Sequence, residues 1–322
     1  MISELDELSL LIGNTPVVSL KHPGINLFAK LEMMNPFGSV KDRAALSVIF
    51  EAVKEGCINE NTTVIESSSG NMAVALASIC KKLRLTFIPV IDPNVNPQTE
   101  ALLRVLCNKV IKVSVRDETG GFLLTRIQTV KDICASEKNI FWTDQYNNPN
   151  NYLGYSKTLA PELFNSFASL DYIFISVSSG GTVTGLSRKL REKYNNIKVV
   201  AVDVEGSVIF GGKPKKRSVT GIGSSMCPSI LKNAFIDHVM MISQLDIIDG
   251  TRRLFEDHGL FAGASTGAAY YAVNDYFELH PPVNKPSVLF LAVDKGVSYV
   301  DTVYNDQWVK KLTEGELLLS SL

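Results

Sequence analysis

Histidine is scarce in this chain of 322 residues: four occur, at 22, 238, 258 and 280, with no H-x-x-x-H pair and no carboxylate neighbours at ligand spacing. That argues against a metal centre, which needs imidazole, thiolate or carboxylate groups closely grouped. The five cysteines, Cys57, Cys80, Cys107, Cys134 and Cys227, are odd in number and scattered, with no C-x-x-C spacing. A disulfide framework and a thiol redox pair are therefore not expected. Four of the five lie in apolar or helical stretches, where a free thiol behaves as a small hydrophobe. No G-x-S-x-G elbow occurs, so the usual signpost of a Ser-His-Asp triad is missing. No apolar run approaches the ~18 residues of a membrane span. The start, Met1-Ile2-Ser3-Glu4-Leu5-Asp6-Glu7, is acidic where a signal peptide is basic. The formal net charge is -1, and the longest basic run, Lys213-Pro214-Lys215-Lys216-Arg217, reads as a solvated loop. Without a basic footprint no nucleic-acid partner is expected. A cytoplasmic protein with no membrane partner is expected.

With 45% hydrophobic and 20% charged residues, the chain has enough apolar content for a large core and enough length for two sub-domains. Short β-branched runs alternate with amphipathic stretches, the pattern of a doubly wound α/β protein with parallel sheets. Strands are predicted at 62–65, 85–91, 109–113, 140–143, 172–177, 198–203 and 287–293. Helices are predicted at 71–82, 97–107, 121–134, 152–164, 182–194, 245–257 and 267–277. The run Gln145-Tyr146-Asn147-Asn148-Pro149-Asn150-Asn151 interrupts this alternation and reads as a crossing between sub-domains. Residues 205–234 show no sustained periodicity and read as a long functional loop. No internal repeat or low-complexity tract is present.

Lys41 stands where the turn-forming run Asn35-Pro36-Phe37-Gly38-Ser39-Val40 hands over to a helix. A lysine amine is nucleophilic only when neutral, and a helix N-terminus disfavours the ammonium. Two Ser/Gly clusters follow strands and open helices, the place where α/β sheets bind ligands. One is Glu66-Ser67-Ser68-Ser69-Gly70-Asn71; the other is Ser178-Ser179-Gly180-Gly181-Thr182. A third, Gly263-Ala264-Ser265-Thr266-Gly267, also opens a helix. Each of the first two reads equally well as a helix cap or as an anion cradle, and in the third Ser265 is either an N-cap or a hydroxyl that serves a ring nitrogen. The second has G-G-x-x-x-G rather than G-x-G-x-x-G, and Gly212-Lys213 precedes Pro214 rather than Ser or Thr, which weakens dinucleotide and nucleoside triphosphate readings. One phosphate together with a lysine able to form an imine points to pyridoxal 5'-phosphate.

Taken with Ile12-Gly13-Asn14-Thr15-Pro16-Val17, Lys30-Leu31-Glu32 and Asn35 through Arg43, in that order, these clusters carry a resemblance over nearly the whole chain. The sequence resembles the β-family, or fold type II, of pyridoxal phosphate enzymes, in the cysteine synthase and cystathionine β-synthase group. The resemblance implies a tryptophan synthase β-like α/β fold. It has two sub-domains, each a mostly parallel twisted sheet flanked by helices: a smaller mobile one at 41–148 and a larger cofactor-binding one from 1–40 with 149–322. It also implies a homodimer. Lys41 would be the Schiff-base lysine and the proton-transferring residue. Asn71 would meet the ring hydroxyl, and Ser178, Ser179, Gly180, Gly181 and Thr182 would cradle the phosphate, where cysteine synthases usually have G-T-G-G-T. Ser265 would meet the pyridine nitrogen, a neutral partner that suits β-elimination over transamination. Ser68, Ser69 and Gln145 match positions that hold the substrate carboxylate, as does Met72, which departs from the usual threonine.

Inside the group, Gly121-Phe122-Leu123-Leu124-Thr125-Arg126-Ile127 and Gly206-Ser207-Val208-Ile209-Phe210-Gly211 look like the siderophore-pathway synthases. Those enzymes join O-phospho-L-serine to L-glutamate on the way to 2,3-diaminopropionate. Asp203 and Thr220-Gly221-Ile222-Gly223-Ser224-Ser225 occur in equivalent order. A cation must then meet the leaving phosphate, and Arg126 is the candidate because a guanidinium grips phosphate bidentately. The alternatives are a cysteine synthase using sulfide with O-acetyl-L-serine or O-phospho-L-serine, a serine or threonine dehydratase, and an idle family member acting through protein association. The intact Lys41 argues against the last.

Overall fold

The chain folds around two sheets in a computed structural model that describes residues 1–320. It begins with helix α1 (Ile2–Leu11) and strands β1 (Val17–Leu20) and β2 (Asn26–Lys30). Then follow α2 (Lys41–Lys54), β3 (Thr63–Ser67), α3 (Asn71–Lys82), β4 (Thr86–Ile91) and α4 (Pro97–Leu106). The smaller sheet is completed through β5 (Ile111–Lys112), α5 (Leu123–Ser136) and β6 (Ile140–Trp142). Two helices, α6 (Pro149–Lys157) and α7 (Leu159–Ser166), lead to β7 (Tyr172–Ser176), α8 (Gly181–Leu190), β8 (Lys198–Val204) and β9 (His238–Ile242). The last elements are α9 (Gln244–His258), α10 (Ala264–Leu279), β10 (Ser287–Leu291) and α11 (Asp306–Ser320).

One sheet has six strands in the order β1-β2-β10-β7-β8-β9, parallel throughout except for the β1–β2 pair. The other has four parallel strands in the order β5-β4-β3-β6. This is the expected α/β class with two parallel sheets flanked by helices. Helices cover both faces, so central strands read as unbroken apolar runs rather than alternating ones. Ile173, Phe174 and Ile175 of β7 are all buried. The largest core joins the two sheets: Val64 and Ile91 from one and Ile173, Leu289 and Leu291 from the other pack with α2, α3 and α8. A second core lies between the opposite face of the larger sheet and helices α9 and α10, and a third lies under α5. Among the described residues no helix is long and apolar enough to cross a membrane.

The helix predicted over 152–164 is two helices. Pro161 lies in the first turn of α7, where its missing N–H and its ring stop the preceding helix from running through. The segment 205–234 is irregular as expected, apart from a 3-10 turn at Ser229–Asn233. Elements α1, β1, β2, β9 and α11 add to those read from the pattern.

The motif residues around Thr15, Glu32, Asn35 and Arg43 have a structural task. Arg43 is fully buried and makes paired hydrogen bonds to Glu32 (2.7 and 2.8 Å) and Glu162 (2.7 and 2.9 Å). Lys30 Nζ donates to Glu162 Oε2 and to the Thr15 carbonyl, both at 2.6 Å. Thr15 and Asn35 donate to the remaining Glu32 lone pairs. The two cations and two anions balance, which makes the burial tolerable; removing one partner would cost about 3–5 kcal/mol. The cluster pins the first turn of α2, and hence Lys41, to β2 and α7.

Candidate active site

Four helices begin at one place. Lys41 opens α2, Asn71 opens α3, Gly181 opens α8, and Ser265 is the second residue of α10. Helix starts carry unpaired N–H groups and partial positive charge, so their convergence favours an anionic ligand. Lys41, Ser178, Ser179, Gly180, Gly181, Thr182 and Ser265 line a single cleft with Gly221. Asn71 joins them through Asp294, whose Oδ2 accepts from Asn71 Nδ2 at 2.7 Å.

Lys41 is half-buried. Burial pushes its amine below the ordinary lysine range, and the nearby Asp294 carboxyl works against that shift. Its backbone N–H donates to Ser39 Oγ at 3.2 Å, which fixes the start of α2. Asp294 is itself buried, follows β10 and also accepts from the Tyr299 hydroxyl at 2.9 Å. Burial raises its carboxyl above the usual range. Asp294 lies outside the Ser/Gly clusters that mark the site in the sequence. Its position directly after an apolar strand, where the other site loops also lie, is the signal that was available.

The 178–182 loop is shaped for close backbone approach. Gly180 has φ +80°, which glycine adopts without strain, and a side chain on Gly181 would overlap the Asn151 amide. The loop is braced from behind: Gly223 N donates to the Val177 carbonyl at 2.8 Å, and Ser178 Oγ donates to the Gly223 carbonyl at 3.0 Å. Ser265 is 2% exposed, and its Oγ is buried with no hydrogen-bond partner among the described residues. Leaving a buried hydroxyl unpaired costs about 1–3 kcal/mol, so this group is set for a ligand.

The residues expected on the substrate side fall into two groups. Ser68 Oγ accepts from the Gly70 and Ala73 N–H groups at 3.4 and 3.3 Å and so caps α3. Gln145 is buried and donates from Nε2 to the Ser67 carbonyl at 3.1 Å, next to this loop. Ser69 Oγ donates to Asp92 Oδ2 and accepts from Arg126 Nη1, both at 2.9 Å. Arg126 Nε lies 3.2 Å from Asp92 Oδ2, so its charge is already balanced. The Met72 side chain is 2% exposed and belongs to the main core, so the side chain serves packing. Only the Met72 N–H, in the first turn of α3, is left for a ligand. Tyr146 lies outside those Ser/Gly clusters as well. It is the one aromatic residue in the polar run 145–151; it is buried, and the charges of Arg126 and Arg217 both act on its phenol.

A flat ring with one phosphate, a ring nitrogen and a carbonyl carbon fits this set. The α8 start offers backbone N–H groups, Ser265 offers its unpaired hydroxyl, and Lys41 offers an amine. The comparisons agree. The sequence profile of the family described as "Pyridoxal-phosphate dependent enzyme" matches residues 8–293. An N-(2-amino-2-carboxyethyl)-L-glutamate synthase of Ralstonia nicotianae is 40% identical over 94% of this chain and 90% of its own length. A synthase of the same name from Cupriavidus metallidurans is 38% identical over the same shares. Among solved structures, the O-acetylserine dependent cystathionine β-synthase of Helicobacter pylori superposes with a TM-score of 0.85 at 31% identity, covering 92% of this chain and 98% of its own. The chain belongs to the pyridoxal-phosphate dependent enzymes, in the branch of cysteine synthase-like synthases.

Proposed function

We propose that this enzyme replaces the phosphate of O-phospho-L-serine with the amine of L-glutamate, giving N-(2-amino-2-carboxyethyl)-L-glutamate and phosphate for diaminopropionate and siderophore synthesis. The observation that carries the substrate pair is the identity of 40% and 38%, over 94% of the chain, to two synthases named for that product. The reaction class is supported by the unpaired Ser265 hydroxyl in the Lys41 cleft. A neutral hydroxyl does not hold a ring nitrogen protonated as a carboxylate does, and this suits loss of a β-substituent over transamination.

When bound, pyridoxal phosphate supplies an electron sink for the charge left at the substrate α-carbon. Residues 178–182 hold its phosphate, Ser265 meets its ring nitrogen, and Asn71, oriented by Asp294, meets its ring hydroxyl. Ser68, Ser69, Gln145 and the Met72 N–H hold the substrate carboxylate. Lys41 anchors the cofactor, gives way to the substrate amine, takes the α-proton and later returns a proton to the same carbon. Its lowered pKa keeps more of the freed amine neutral, the form that takes the α-proton. Phosphate leaves the β-carbon with the bonding electron pair, and the glutamate nitrogen forms the new bond and releases a proton. Arg126 meets the leaving phosphate with the guanidinium edge that Asp92 and Ser69 leave open. In the same reading the enzyme is a cytoplasmic homodimer whose smaller sheet unit moves on substrate binding. All five cysteines are unpaired, in keeping with a reducing compartment.

The holoenzyme mixed with O-phospho-L-serine and L-glutamate is expected to release phosphate and give a product of the corresponding mass. Turnover only with O-acetyl-L-serine and sulfide would make it a cysteine synthase, and accumulation of a keto acid would make it a dehydratase. Lys41→Ala is expected to lose the yellow absorbance of the bound cofactor. Full retention of that band would remove Lys41 from its role.

A further inference from the structure

The segment 205–234 holds a cation that the assignments above leave unused. Its basic run divides in the fold: Lys213, Lys215 and Lys216 are exposed, whereas Arg217 is half-buried and turned inward. The loop closes at Gly206, with φ +85°, whose carbonyl accepts from Lys215 N at 3.2 Å. Arg217 then lies over Gly223, where an added Cβ would stand 2.5 Å from Nη1. Gly223 is the residue that braces the phosphate loop through Val177 and Ser178. Arg217 Nη2 donates to Ser225 Oγ at 2.9 Å. Ser225 in turn faces Gly121, just before α5, the helix that carries Arg126; a Cβ on Gly121 would stand 3.4 Å from Ser225 Oγ. The buried Tyr146 phenol feels both guanidinium groups. Arg217 thus lies against Gly223, two residues along the chain from Gly221, which lines the cleft.

The two arginines differ in their partners. Arg126 has Asp92 as counter-ion at 3.2 Å. Arg217 has no carboxylate within ion-pairing distance among the described residues, and Asp203 acts on it only from further away. Of its five N–H donors, the Ser225 bond engages one. A half-buried guanidinium with free donors is poorly explained as a brace for the loop, because an uncharged side chain would fill the same space without the desolvation cost.

We propose that Arg217 is a specificity-determining residue that holds a carboxylate of the incoming amino-acid nucleophile, so that a dicarboxylic amino acid is selected. This rests on the β-replacement reading above. Such a nucleophile presents one amine for reaction and two carboxylates for recognition, and the planar guanidinium grips one of them through paired hydrogen bonds.

The test uses holoenzyme, wild type against Arg217→Gln and Arg217→Lys, with O-phospho-L-serine as first substrate and L-glutamate or L-glutamine as second. Arg217→Gln is expected to raise KM for L-glutamate about tenfold to a hundredfold, the weight of a charge-assisted hydrogen-bond pair. KM for O-phospho-L-serine should stay in place, and the preference for glutamate over glutamine should narrow. Arg217→Lys should fall between the two. A KM rise confined to O-phospho-L-serine overturns the proposal, as does an equal loss with both nucleophiles, which is the mark of an arginine that only braces the loop. Wild-type coupling that does not distinguish glutamate from glutamine overturns this proposal alone. Phosphate release without any glutamate in the product brings down the underlying reading and this proposal with it.

Discussion

At Asp42 the need to hold Lys41 in place conflicts with solvation. Asp42 is fully buried, and its Oδ2 accepts the Phe37 N–H at 2.7 Å, closing the turn that delivers the chain into α2. Burial pushes its carboxyl up to about 7; the Phe37 bond opposes this and the Glu32 charge adds to it. Between the ordinary carboxylate range and pH 7 the native state keeps a proton that the unfolded chain has released. Stability therefore falls as pH rises through that window, by about 1.4 kcal/mol per pH unit for one such proton. Burial also raises Glu66, Asp203 and Asp294, which act with the same sign. Asp42→Asn keeps the shape and an acceptor for Phe37 but removes one titrating proton. Urea midpoints at pH 5 and pH 8 are expected to differ less in the variant than in the wild type. An equal difference would show that Asp42 does not titrate in this window.

Among the elements, α3 shows what makes a segment legible. It is predicted over 71–82 and spans Asn71–Lys82, because a Ser/Gly turn precedes it and buried Met72, Ala75, Leu76, Ile79 and Cys80 recur at helical spacing. The loop at 178–182 is legible for the same reason, since strand β7 and helix α8 frame it. β1 and β2 are short, four and five residues, and β9 lies at the edge of its sheet with most of its side chains outside the core, so pattern alone does not separate them from loop. Asp294 belongs to no local motif and matters through Asn71, far away in the chain, whereas Arg217 is hidden in a basic run that reads as solvated. The closeness of α9 and α10 is also hidden in the sequence, because it rests on two glycines within otherwise ordinary helices. An added Cβ on Gly250 would stand 2.5 Å from the Gly267 carbonyl and 2.7 Å from Tyr271 Cβ. Gly250→Ala gains about 1 kcal/mol in helix propensity. It loses about 1–3 kcal/mol to overpacking, and the backbone carbonyl cannot rotate away. Overpacking wins, so thermal unfolding is expected at a lower midpoint with the cofactor spectrum unchanged. A raised midpoint would mean that the helices have room to separate.

At the scale of the whole molecule the two sheets share one core, and on the proposed function the smaller sheet's unit moves against the larger one's. Among the side chains of the smaller unit that reach across are two amides: Asn71 donates to Asp294, and Asn96 Nδ2 donates to the Ser298 carbonyl. Asn96 has a second task, since its Oδ1 caps α4 by accepting from the Gln98 and Thr99 N–H groups at 2.9 and 3.3 Å. The two tasks can be separated. Asn96→Asp keeps the cap, which a carboxylate at a helix N-terminus serves well, but replaces the donor facing Ser298 with an acceptor. If the smaller unit closes on substrate, as we propose, this contact favours the closed form, and its loss shifts the equilibrium by the worth of one hydrogen bond. About 0.5–1.5 kcal/mol corresponds to roughly a twofold to tenfold rise in KM for the first substrate. Repulsion between the carboxylate and the Ser298 carbonyl works in the same direction. Thermal stability should change little, and backbone hydrogen exchange around residues 296–299 should quicken in the presence of substrate. Asn96→Ala, which loses cap and contact together, should lower the unfolding midpoint as well. An Asn96→Asp enzyme with unchanged KM and unchanged exchange would mean that the two units are already fixed to one another without this contact.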